Sequence, residues 1–161
     1  MVYAFIVGPV AITVRYWEEH APNSQVEAGA RVEVRRVTPV IGGHDRPGAA
    51  GWRIAPVSDG GIWRADLLEL IAGDQHEPRH HYHPDFRDGD VGTRVFDPTL
   101  TADPVGWTMD HLAGLPALLV EAGAPELANE IDMAALRRAL PAVRTAIVEC
   151  TGPRDPATAP V

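Results

Sequence analysis

The apolar residues change their spacing once along this chain, and the change falls near Asp97-Pro98. Before it, short runs alternate apolar with polar residues or are rich in β-branched ones, as strands do; after it, apolar residues recur at three- and four-residue intervals, as on helices. Strands first and helices last, with no strand–helix alternation and no internal repeat, predict an α+β domain and not a parallel sheet with crossover helices. The simplest such architecture is a bent antiparallel sheet or open β-barrel from the N-terminal two-thirds, packed by the C-terminal helices. Residues 1–150 form one domain in this reading, and the Pro- and Ala-rich 151–161 stretch is a mobile tail.

Residues 2–7 and 10–17 read as two strands joined at Gly8-Pro9. This opening lacks a basic flank and is too short for a spanning helix, so a buried hairpin is expected there rather than a signal peptide. Glu18 to Gly29 is polar and reads as loop, and residues 31–41 resume the alternation with Val32 and Val34 inward and Pro39 marking an end or edge. Trp52 to Val57 reads as a short strand. Asp59-Gly60 predicts a hairpin turn, because these residue types tolerate positive φ. The strand at 62–71 is apolar on both faces yet carries Arg64, Asp66 and Glu69, charges that are costly to bury unless paired. Gly73 to Pro78 supplies a reversal, and 93–96 reads as a last strand. Asp103-Pro104 supplies a helix cap with Pro at the first helical position, Gly123 a stop, and Pro125 or Asp132 the start of a final helical region broken or kinked at Pro141.

Composition narrows the function classes. The formal charge is −8, all 14 basic residues are arginine, and no basic stripe is present, which argues against nucleic acid as a partner. The one cysteine, Cys150, excludes an internal disulfide and cysteine-based zinc motifs and is consistent with a cytoplasmic location. A small-molecule substrate, no membrane and an optional homo-oligomer complete the expectation.

Chemistry concentrates in the segment from His76 to Asp85, which holds four of the seven histidines, His76, His80, His81 and His83. Histidine is the commonest metal side-chain ligand and titrates near neutrality, so such a cluster beside carboxylates points to metal coordination, proton transfer or a pH switch. Run back antiparallel to the 66–71 strand, the segment places His81 and His83 on one face and His80 on the other. One strand register sets the pair beside Glu69 and a one-residue shift sets it beside Asp66. His81 and His83 are therefore the expected metal ligands, with Glu69 or Asp66 as the third. An N/O ligand set without thiolate admits zinc, iron, manganese or nickel.

His81-Tyr82-His83 at the end of a β-rich run resembles the first ligand pair of a cupin. That resemblance implies a glutamate a few residues on and a further histidine on a later strand. Asp85 and Asp88 stand in that region instead, and His111 falls on a helical segment, so the likeness covers these three residues alone.

His80 and His76 are candidate proton carriers, and Arg94 and His44 complete the candidate catalytic set. The Gly42-to-Gly48 loop offers Asp45 and Arg46 beside His44 as a binding loop or an exposed turn. The reading that follows is a small metal-dependent enzyme acting on a small molecule. Two alternatives stay open: a binding or regulatory protein with a pH-sensitive histidine cluster, and a metal-free acid–base hydrolase, isomerase or lyase in which Arg46, Arg79 or Arg94 holds an anion. Trp17, Trp52, Trp63 and Trp107 serve either as core or as pocket lining. His20 and His111 have no neighbouring constellation and read as surface or structural residues.

Overall fold

The computed structural model describes residues 2–20, 25–37, 40–41, 53–54, 57–72 and 75–151, without the side chains of 40–41, 53–54, 57–59, 72 and 75–76. Strands β1 (Val2–Val7) and β2 (Val10–His20) form an antiparallel hairpin, and β3 (Val26–Val37) pairs with the other edge of β2. Next to β3 lies β6 (Val57–Ala72), whose far edge takes β7 (Gln75–Pro78) along 69–72 and β8 (His81–His83) along 64–66. Two short pairs stand apart from this sheet: β4 (Val40–Ile41) with β5 (Arg53–Ile54), and β9 (Phe86–Arg87) with β10 (Asp90–Val91). The helices α1 (Pro98–Ala102), α2 (Pro104–Ala113), α3 (Leu115–Glu121), α4 (Pro125–Ala128) and α5 (Met133–Thr151) follow in order. The result is an α+β fold with a bent antiparallel sheet that does not close into a barrel.

Strand alternation sorts the two faces of the sheet. Ile12, Val14, Val32, Val34, Trp63, Ala65 and Leu67 point one way and join Leu112, Leu119, Leu136, Val143 and Ile147 of the helices in one core. Helix α5 lies across β1, β2 and β3. The helix starts are set locally: Asp97, Asp103 and Asp132 each accept hydrogen bonds from backbone N–H groups of the first turn, satisfying donors that have no intrahelical partner. Pro141 is accommodated inside α5 without ending it.

Gly8 makes the first turn and fixes its distance from the helices. Its φ is +61°, and a Cβ there would lie 2.6 Å from the Glu130 carbonyl oxygen. Gly8→Ala is therefore expected to cost roughly 2 kcal/mol, about the left-handed penalty plus the contact, read as a lower urea midpoint with unchanged slope. An unchanged midpoint would show that the turn relaxes freely.

Several local expectations are corrected. The polar 18–29 stretch is mostly strand: β2 runs to His20 and β3 starts at Val26, because long cross-strand pairing with well-packed neighbours overrides a polar local sequence. Asp59-Gly60 does not turn a hairpin but lies inside β6, where the pairing shifts between Val34↔Trp63, Arg35↔Gly61 and Val37↔Val57. Residues tolerant of unusual φ serve equally in the bulges that absorb the extra residues of β6. The 93–96 strand reduces to a single bridge, Val95 with Tyr82. Trp52, the 42–48 loop and the tail beyond Thr151 lie outside the described residues.

Candidate metal centre

The face of the sheet turned away from the helices is polar, and much of it is nevertheless buried. Thr13, Arg31, Glu33, Asp66, His81 and His83 are each less than one-tenth exposed. Their meeting follows from register: Arg31 stands opposite Asp66, and Asp66 opposite His81 across β6 and β8. Of the two registers open to the sequence, this is the one that selects Asp66. Glu69 points to the other face, opposite Pro78 and Ala28, and does not join the group.

Asp66, His81 and His83 bring one ligand atom each to within 4.8 Å of one another. Asp66 Oδ2 lies 3.3 Å from His81 Nε2 and 3.6 Å from His83 Nε2. The far ring nitrogens are occupied: His81 Nδ1 lies 2.9 Å from the Arg79 carbonyl oxygen and His83 Nδ1 2.9 Å from that of Gly92. A carbonyl only accepts, so both Nδ1 atoms carry hydrogen, and in the neutral rings both Nε2 atoms present lone pairs toward Asp66. Asp66 Oδ2 and His81 Nε2 have no hydrogen-bond partner despite burial.

Three converging lone pairs repel one another unless a proton or a cation lies between them. Ligand atoms about 2.0–2.1 Å from a tetrahedral ion sit roughly 3.3 Å apart, close to the separations from Asp66 to the two rings. This buried group can hold a metal ion. The backbone carbonyls behind the two imidazoles are the outer partners that fix ring orientation in such sites.

Asp66 is ionised throughout the physiological range. Burial alone would raise its carboxyl, but the contacts with the His81 and His83 rings and the Arg31 guanidinium outweigh that and hold it well below the usual carboxylate range. Arg31 donates from Nε to Asp66 Oδ1 at 2.5 Å, which leaves Oδ2 for the histidines. The Phe96 ring stacks at a tilt on His81, 5.6 Å between centroids, and shields it.

A cleft of about 330 Å³ opens beside this group, lined by Trp17, Glu19, Arg31, Arg64, Asp66, His83, Val91 and Arg94. Arg94 thus reaches the site as a wall of the cleft. His80 is buried on the other side, near Glu69; burial pushes its imidazole below the ordinary value, against the opposing effects of Glu69 and the Leu68 carbonyl. His76 pairs with Ile71 through β7, and its side chain lies outside the described residues, as does all of His44 with Asp45 and Arg46. Arg79 pairs with Glu77 at the surface. His20 is exposed beside Glu18, and His111 stacks on Trp107 at 3.7 Å between centroids. Trp63 and Trp107 belong to the helix-side packing, whereas Trp17 faces the cleft.

Sequence reasoning missed Arg31 and Glu33, whereas Trp17 takes the pocket-lining alternative open to the tryptophans. The strand of Arg31 and Glu33 alternates as expected, but alternation marks the charged positions as solvent-facing, and only the period-two spacing of Arg31, Glu33 and Arg35 hinted at a continuous polar row.

An open antiparallel sheet carrying two histidines and one aspartate on its buried polar face, beside a charged cleft, defines the class of protein. A family model described as "Domain of unknown function (DUF7700)" matches residues 8–147, and the chain belongs to that family. No curated protein and no solved structure matches it. No helix among the described residues is long and apolar enough to cross a membrane.

Proposed function

We propose that this protein is a small metal-dependent enzyme whose ion is held by Asp66, His81 and His83. The observation that carries the reading is the buried, donor-free meeting of two Nε2 lone pairs with Asp66 Oδ2. Three ligands from the chain leave coordination positions for water or substrate, as catalytic sites do and closed structural sites do not. An ion of the zinc, iron, manganese or nickel group bound there would supply Lewis acidity toward a water or substrate oxygen facing the cleft.

The chain's own residues have defined tasks in this scheme. The Arg79 and Gly92 carbonyls hold the tautomers, Arg31 orients Asp66, and Phe96 keeps water from the outer side of His81. Arg94 stands where it can orient a substrate. His80, buried on the opposite face, is not placed to exchange protons with this cleft, so its role in the reading is to pack the β6 edge.

The test is metal analysis of untagged protein beside a His81→Ala/His83→Ala variant, after dialysis against zinc and removal of the excess. About one zinc per chain is expected in the parent and less than about a tenth in the variant, since Asp66, the one ligand left, cannot replace the lost lone pairs. Equal metal content in the two, with both folded by circular dichroism, ends the proposal.

A further inference from the structure

The polar face is acidic in neither sum nor distribution, although the chain as a whole carries −8. Glu33 is the common partner of three arginines, Arg15 at 3.6 Å, Arg35 at 2.7 Å and Arg64 at 2.6 Å, while Asp66 pairs with Arg31. Four guanidiniums against two carboxylates leave two positive charges in excess. At the rim, Arg94 is set against Glu19 and its cross-strand partner Glu27, so the face as a whole keeps one positive charge in excess. A divalent ion at the triad would add two more positive charges. Low-dielectric walls around like charges focus the field into a cleft and concentrate counter-ions there.

We infer that the cleft beside Asp66 and His83 receives a small carboxylate anion, bound between the metal position and Arg94. The inference rests on the metal reading above and adds to it the class of ligand. Arg31 and Arg64 already spend donors on carboxylates: Arg31 Nε on Asp66, and Arg64 Nε and Nη2 on Glu33. Arg94 lines the same cleft and makes no ion pair or hydrogen bond among the described residues. One unengaged planar fork matches the two coplanar oxygens of a carboxylate, whereas a phosphate dianion calls for further donors. A second donor waits in the wall, because Trp17 Nε1 is buried without a partner. The Trp17 indole is itself held by Arg15 and Arg31, whose guanidinium carbons lie 4.6 and 3.9 Å from the ring centroid. The cleft volume of about 330 Å³ suits a ligand of a few heavy atoms.

The full chain loaded with cobalt(II) tests this, with pyruvate as the probe and pyruvamide and inorganic phosphate as comparators. Cobalt binding is measured first from its visible absorption, without any probe. If no cobalt binds, the metal reading and this inference fall together. With cobalt bound, pyruvate is expected to shift the spectrum saturably and the uncharged pyruvamide is not. Arg94→Ala is expected to weaken pyruvate about tenfold to a hundredfold, the range of a lost charge-assisted hydrogen bond, with Arg94→Lys between the two. Cobalt affinity should stay the same in both variants, because Arg94 is not a ligand. Absence of a pyruvate response up to about 10 mM, a response indifferent to Arg94→Ala, or phosphate binding as tightly as pyruvate would each overturn the inference while leaving the metal reading standing.

Discussion

Asp66→Asn is expected to lose metal affinity by at least about a hundredfold, more than changes to outer-shell partners usually cost, and to lower stability by about 3 kcal/mol. The two effects have separate causes. The amide nitrogen or oxygen at the Oδ2 position carries no formal charge, so the convergence with His81 and His83 Nε2 no longer offers an anionic ligand. The stability loss comes from Arg31, whose side chain is 7% exposed and whose Nε gives its 2.5 Å hydrogen bond to Asp66. Removing one partner of a buried pair leaves the other charge uncompensated, which costs far more than the pair itself contributes. Competition with a chromophoric chelator measures the first effect and urea unfolding of the metal-free protein at neutral pH the second. Zinc affinity within threefold of the parent would mean that Asp66 is not a ligand; unchanged stability would mean that the Arg31 guanidinium finds water on this face.

Glu33→Ala is expected to destabilise the fold by about 3 kcal/mol, the lower end for a broken buried pair because Arg15 remains one-third exposed and partly solvated. Its carboxylate is 2% exposed and faces Arg15, Arg35 and Arg64, so its loss leaves three guanidiniums on adjacent strands facing one another. The pH dependence has a definite sign. Burial would raise the Glu33 carboxyl, but Arg64 and Arg35 overcome this and hold it below its ordinary value of 4.5. A depressed carboxylate contributes fully above the unfolded value and loses its contribution as pH falls through the folded one. Parent stability should therefore decline below about pH 4.5, and the decline should be shallower in Glu33→Ala, which has already lost the group. Parallel urea titrations from pH 7 to 3 measure both slopes. Identical slopes would show that Glu33 is not the group whose protonation loosens this face.

The layered architecture was legible from the sequence because it depends on local period. Val32 and Val34 had to face a core, and Asp103-Pro104 had to open a helix, whatever lay around them. His81 and His83 had to share a face once they lay on a strand. Hairpin and loop positions were less legible. Asp59-Gly60 serves a bulge as well as a turn, and the polar 18–29 stretch is held in strands by partners distant in sequence.

What the sequence determined by itself was the succession of sheet and helices and the pairing of two imidazoles on one side of a strand, since both follow from periodicities written into the backbone. Tertiary structure alone decided that Asp66 rather than Glu69 meets those imidazoles, because a single residue of register exchanges the faces of a strand. It also decided that Arg31 and Glu33 are buried rather than solvated. Alternation places a side chain on one face or the other, but what covers that face depends on segments far away along the chain.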